Sequence, residues 1–231
     1  MSADSIPKGW KTLEPSTFYS RVVIVSGGSL GSWALDLLRE DDYIIGADAG
    51  ALFLVRQGIK PHLSLGDFDS VSREERNDIQ AGSRELASFD PVDKNYTDTE
   101  LAFRRGLELK PSSLLLLGAT GSRLDHTMAN VHLLRTAAEK GVSASIEDAA
   151  NRVRVLPPGS ALDVLGSRFE HISLLPLSLR VTGIRLIGFQ YPLTDATLDL
   201  GQSLGISNAL AAEAGTVSTA DGWLLVMESI G

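Results

Sequence analysis

The chain has 231 residues, 43% of them apolar and 22% charged, the balance of a globular protein long enough to bury a substantial core. A formal charge of −8 argues against nucleic acid, which favours a basic face, and no apolar run reaches the length of a membrane span. Zero cysteines exclude disulfides, thiolate catalysis and cysteine-ligated zinc, and fit a cytoplasmic setting.

Residues 1–20 lack the basic start and apolar centre of a secretory signal and read as an N-terminal arm. Short apolar runs then alternate with helical spacing. Strands are expected at Arg21–Ser26, Tyr43–Ala47, His62–Leu65, Arg84–Phe89, Ser113–Leu117 and Ala144–Ile146. Helices are expected at Trp33–Arg39, Ala51–Gln57, Arg73–Ala81, Thr99–Leu109 and Thr127–Lys140. This β-α-β order with nearly continuous apolar strands predicts a Rossmann-like parallel sheet with helices on both faces, over residues 21–150. Beyond Pro157-Pro158-Gly159 the segments are short, often β-branched and punctuated by glycine, proline or aspartate: Ala161–Leu165, Phe169–Leu175, Leu179–Leu186, Ala196–Leu200, Gly215–Thr219 and Trp223–Met227. That rhythm predicts a second, antiparallel β-sandwich domain over 151–231.

Chemistry-bearing residues gather where an open parallel sheet puts them, at the carboxyl ends of its strands. Gly27 and Gly28 follow the first strand, in a turn open enough for backbone amides to approach phosphate. Asp48 follows the second, and Asp67 and Asp69 follow the third. Two carboxylates two residues apart repel unless something neutralises them, and hard oxygen ligands suit Mg²⁺ better than zinc. Lys94, Thr97 and Asp98 follow the fourth strand, and Arg123, Asp125 and His126 the fifth. Each has a plainer reading. Asp98 and Asp125 stand where helix caps stand, Arg123 could simply pair with Asp125, and Asp48 could be turn chemistry. The chain has no P-loop, and Asp67-Phe68-Asp69-Ser70-Val71 resembles the dehalogenase-type phosphatase nucleophile motif only in isolation, two β-α units too late in the chain.

Taken as a set, Ala47-Asp48-Ala49-Gly50, Gly66-Asp67-Phe68-Asp69-Ser70, Lys94 through Glu100 and Gly118 through His126 resemble the thiamine pyrophosphokinase family. Asn151-Arg152-Val153, Gly188 through Leu193 and Gly205-Ile206-Ser207-Asn208 extend the resemblance from about Val22 to Met227. Two positions depart from the family's habit: Ala49, where a glycine is frequent, and Asn95, where bacterial members often carry aspartate.

The resemblance implies Mg²⁺-dependent transfer of the pyrophosphoryl group of ATP to the hydroxyl of thiamine, giving thiamine diphosphate and AMP. It implies metal ligands among Asp67, Asp69, Asp48 and Asp98, and positive groups in Lys94, Arg123 and His126. Gly27, Gly28, Thr97 and Asp125 fall on the nucleotide side, Ser207 and Asn208 on the thiamine side. It further implies a homodimer with its active site at the interface. No general base stands out beyond Asp98, and Trp223 in an apolar strand is more often core than a platform for the thiamine cation. Two other readings compete: a pyrophosphokinase of another hydroxymethyl heterocycle such as a pterin, and a non-catalytic nucleotide sensor.

Overall fold

The structure, a computed structural model, describes residues 19–88 and 96–231. The chain divides into two compact units, up to Leu133 and from Leu134 onward.

The first unit is built on five strands: β1 (Arg21–Val25), β2 (Tyr43–Ala47), β3 (Leu63–Gly66), β4 (Leu86–Ser88) and β5 (Ser113–Leu117). Their sheet runs β4-β3-β2-β1-β5 and its pairs are parallel. The runs Val22–Val25 and Leu114–Leu117 are buried throughout, as a sheet covered on both faces requires. Helices α1 (Ala49–Arg56), α2 (Arg73–Gly82), α3 (Asp98–Glu108) and α4 (Leu124–Glu139) fall between or after the strands. Ser72 and Glu75 close a capping box at the start of α2, which compensates for a helix with Ile79 as its single buried residue. A salt bridge of 2.6 Å ties Arg21 at the start of β1 to the buried Asp42 just before β2.

One expected helix is different. Trp33–Arg39 is a 3-10 helix over Ser32–Leu37, six residues with no side-chain cap and only Ala34 buried, too short to reward α-helical nucleation. The chain steps outward from β1 through β2 and β3 to β4, then returns through α3 to place β5 on the other side of β1. The sheet therefore reverses its order between β1 and β5, and the carboxyl ends of those two strands flank the crevice where such sheets take ligands.

The second unit holds β6 (Ser143–Glu147), β7 (Asn151–Leu156), β8 (Ala161–Leu165), β9 (His171–Pro176), β10 (Arg180–Ile187), β11 (Leu193–Asp199), β12 (Ala214–Ser218) and β13 (Leu224–Ser229). They form two antiparallel layers, β6-β7-β13-β9 and β11-β10-β12-β8. Leu156, Leu174, Leu224 and Val226 of the first layer share one buried cluster with Val164, Val181, Leu186 and Val217 of the second, so this is a sandwich. Farther along the inner face of the first layer the apolar rows give way to charge. Glu228, 1% exposed, meets Arg154 at 2.6 Å and Arg152 at 3.5 Å, and Glu147 meets Arg152 at 2.9 Å. No helix among the described residues is long and apolar enough to cross a membrane.

Candidate functional site

The loops that follow β1 and β5 are laced together. The amides of Gly28 and Ser29 donate to the carbonyls of Gly118 and Thr120 at 2.8 and 2.7 Å. A Cβ on Gly28 would stand 2.2 Å from the Thr120 oxygen, and one on Gly118, which has φ +63°, 2.2 Å from the Ser26 oxygen. Only glycine fits at either place. These glycines thus serve close packing of two loops, and two of the amides expected to face phosphate are spent on protein carbonyls. The laced loops wall a cleft that also takes in Asp48, Thr97, Asp98, Thr99, Arg123 and His126. Gly27, Gly28, Asp48, Thr97, Asp98, Arg123 and His126, seven of the residues singled out in the sequence, line this one cleft.

Several side chains have settled roles. The cap of α3 is Thr97, whose hydroxyl accepts from the Glu100 amide at 3.1 Å, so Asp98 is the first helical residue and not the cap. Its carboxylate comes within 3.4 Å of where a Cβ on Gly66 would stand, close to the end of β3. Arg123 and Asp125 make an exposed bidentate pair with contacts of 2.6 and 3.1 Å, which holds the Asp125 carboxyl down at about 2. Asp125 itself is not among the residues lining the cleft. Lys94 lies outside the described residues.

The carboxylates converge. Asp48, Asp67 and Asp69 each offer an oxygen, and these oxygens lie within 4.8 Å of one another. Phe68 accounts for the geometry. Its φ of +58° turns the chain between the two aspartates, while its ring, 4% exposed, packs with Ala51, Leu52 and Ile79. Asp48 is bent in turn, at φ +49° and ψ −122°, with its amide held by the Leu65 carbonyl at 2.9 Å. One of its oxygens, Oδ1, is buried without a hydrogen-bond partner, and the other accepts the Ser70 hydroxyl. Burial raises the Asp48 carboxyl above its ordinary range, the Ser70 hydroxyl and the Ala49 amide oppose this, and the charges of Asp98 and Asp69 add to the rise. Three carboxylates that bring hard oxygens together in this way are a donor set suited to Mg²⁺.

Sequence reading passed over Asn130, which lines the cleft from α4 and donates to the Ala119 carbonyl at 2.7 Å but sits in no pattern that distinguishes it from an ordinary helical polar residue. Thr99, inside the run Lys94 through Glu100, donates to Ser26 at 3.0 Å. Ser207 and Asn208 belong to the second unit. Ser207 is exposed, with φ +59°. Asn208 is buried, and its side chain donates to the Tyr191 carbonyl at 2.7 Å while accepting from the amides of Tyr191 and Ala209.

Fold and site together define a class: an α/β protein with its cleft at the switch point of a parallel sheet, followed by a β-sandwich. Comparison makes this specific. The description "Thiamin pyrophosphokinase, catalytic domain" matches residues 34–146, and "Thiamin pyrophosphokinase, vitamin B1 binding domain" matches residues 162–224. The chain is 34% identical over 185 residues to thiamine pyrophosphokinase of Bacillus subtilis, covering 80% of this chain and 86% of that one. The crystal structure of a thiamine pyrophosphokinase from the same organism superposes with a TM-score of 0.84 at 31% identity, covering 91% of this chain and 99% of that one. A thiamin pyrophosphokinase structure from Geobacillus thermodenitrificans gives 0.82 at 32% identity, covering 91% and 98%. The chain belongs to the thiamin pyrophosphokinase family.

Proposed function

We propose that the protein transfers the pyrophosphoryl group of ATP to the hydroxyl of thiamine, releasing AMP and thiamine diphosphate. The observation that carries this reading is the convergence of Asp48, Asp67 and Asp69 beside a cleft at the β1/β5 switch point, in a chain of this family. Asp48, Asp67 and Asp69 hold the cation, with Asp98 at hand. Mg²⁺ bound there would neutralise the β- and γ-phosphate oxygens, the main need of a transfer that runs on positioning and charge more than on covalent help. Arg123, His126 and Lys94 supply further positive charge to the triphosphate. The glycine loops shape the cleft wall, and Asp125 keeps the Arg123 guanidinium in a fixed direction through its two hydrogen bonds.

The acceptor belongs to the sandwich, through Ser207 and the segment that Asn208 fastens. The enzyme works as a cytoplasmic homodimer with its active site at the interface. The register sets exposed Leu165 and Ile187 on one face at the same end of the β8-β12-β10 layer, an apolar pair whose covering favours a partner. The test is direct. The protein is incubated with Mg²⁺, ATP and thiamine and the products are identified; AMP and thiamine diphosphate in equal amounts are expected. ADP with thiamine monophosphate, or phosphate release without thiamine, would overturn the reading. Light scattering at working concentration checks the dimer.

A further inference from the structure

Ser70 closes the run that carries the paired aspartates, and its hydroxyl donates to Oδ2 of Asp48, 22 residues earlier in the chain. Asp48 needs such a hold. Its backbone conformation is one that residues with a Cβ rarely adopt, kept in place by the Leu65 carbonyl on its amide and the Ala51 amide on its carbonyl, both at 2.9 Å. Those bonds fix the main chain; the carboxylate itself is held by the Ser70 hydroxyl, with the neighbouring Ala49 amide also acting on it. A carboxylate has two oxygens, and here they have different surroundings: Oδ2 is bonded to Ser70, whereas Oδ1 is buried and has no partner. Burying an acceptor without a partner costs free energy unless a ligand repays it.

We propose that Ser70 is a positioning residue for the cation: by occupying one oxygen of Asp48 it directs the other toward the point shared with Asp67 and Asp69. The inference rests on the metal reading given above and adds to it a residue that touches neither metal nor substrate. Ser70 is exposed, so its hydroxyl would otherwise be satisfied by water and the bond to Asp48 would have no structural necessity. The loop also gains from the link. Asp69 is held near Asp67 by its own amide, which donates to Asp67 Oδ1 at 3.2 Å, and Ser70 ties the next residue of that turn to the end of β2. The hydroxyl thus adds a side-chain tie between two strand ends that the Asp48 amide already joins through the Leu65 carbonyl.

The experiment measures Mn²⁺ binding to the full chain without nucleotide, by the electron paramagnetic resonance of free Mn²⁺, alongside thermal melting in the absence of metal. The proteins are wild type, Ser70→Ala, Ser70→Thr and Asp67→Asn. Expected are loss of affinity of about tenfold or more in Ser70→Ala, the scale of a hydrogen bond to a charged group, and near wild-type affinity in Ser70→Thr, which keeps the hydroxyl. Melting temperatures of the metal-free proteins should agree. Wild-type affinity in Ser70→Ala, with affinity lost in Asp67→Asn, would overturn the role of Ser70 and leave the metal site standing. Equal loss in Ser70→Ala and Ser70→Thr, both folded, would also overturn it, because the hydroxyl would not be what matters. Undiminished binding in Asp67→Asn would remove the metal site itself and the inference with it.

Discussion

Phe68 does a structural task that the two acids beside it cannot. A left-handed residue with a large side chain persists only where the surroundings hold it, and here a buried pocket of Ala51, Leu52 and Ile79 holds the ring. Phe68→Ala should therefore cost about 3–5 kcal/mol of stability and, with the anchor gone, weaken metal affinity as well. Phe68→Leu should keep more of both; denaturant unfolding and Mn²⁺ titration of the two variants check this. Elsewhere a single histidine sets part of the response to acid. His62 Nδ1 accepts the Ile44 amide at 3.2 Å, which requires an unprotonated nitrogen, and burial, with the nearby Arg84, pushes its pKa below the ordinary value. The unfolded chain takes up the proton at about 6.5 and the folded one resists it. The contribution to stability is then complete above that pH and declines as pH falls below it toward the lowered folded value. Melting temperature measured from pH 7.5 to 5 should fall more steeply in wild type than in His62→Asn, whose amide oxygen accepts without titrating.

Among the elements, the segment at 188–191 depends on a side chain from elsewhere. Gln190 and Ala211 bond to the carbonyls of Ala209 and Gly188 at 2.8 and 2.9 Å, and the buried Asn208 amide fastens Tyr191 on both sides of its residue. Asn208→Ala leaves two amides without that acceptor, at a cost of about 1–3 kcal/mol. It should lower the melting temperature and raise the thiamine requirement while leaving the ATP requirement unchanged; Asn208→Asp should not rescue it, because a buried carboxylate cannot donate to the Tyr191 carbonyl that the amide now serves at 2.7 Å. Paired substrate titrations separate the cases. The fastening of Tyr191 by Asn208 was not legible in the sequence, where Ser207-Asn208 stands out only through the family resemblance and no spacing links it to Tyr191. The parallel strands were legible because burial on both faces leaves uninterrupted apolar runs such as Val22–Val25. Strand β7 was not. Arg152, Arg154 and Leu156 lie on one side of it, and arginines suggest a wet face, whereas here they continue the inner face of the sandwich and meet buried glutamates. The carboxylate site was legible as a set of strand ends, but Ser70 was not, because its partner lies 22 residues away and no local spacing announces it.

At the scale of the whole molecule, stability draws on charge as well as on apolar contact. Glu228 is almost fully enclosed and serves two arginines. Glu228→Gln keeps the shape and removes the neutralising charge, so a loss of about 3–5 kcal/mol is expected, read as a lower denaturation midpoint. Glu228→Met paired with Arg154→Met should recover part of it, since an apolar pair carries no desolvation cost. The laced loops have a consequence of another kind, for inheritance. Residues 28 and 118 are far apart in the chain, yet each is glycine because of the other's loop: a Cβ on Gly28 would reach within 2.5 Å of the Gly118 oxygen, and one on Gly118 would press on Ser26, two residues before Gly28. A mutation at either separates the same two loops. Once they are apart, a second mutation finds the damage already done. Gly28→Ala and Gly118→Ala should therefore combine with far less than the sum of their separate effects on stability, departing from additivity by about 0.5–3 kcal/mol. Two codons ninety positions apart would then drift as one: a lineage that has lost either glycine is under little pressure to keep the other.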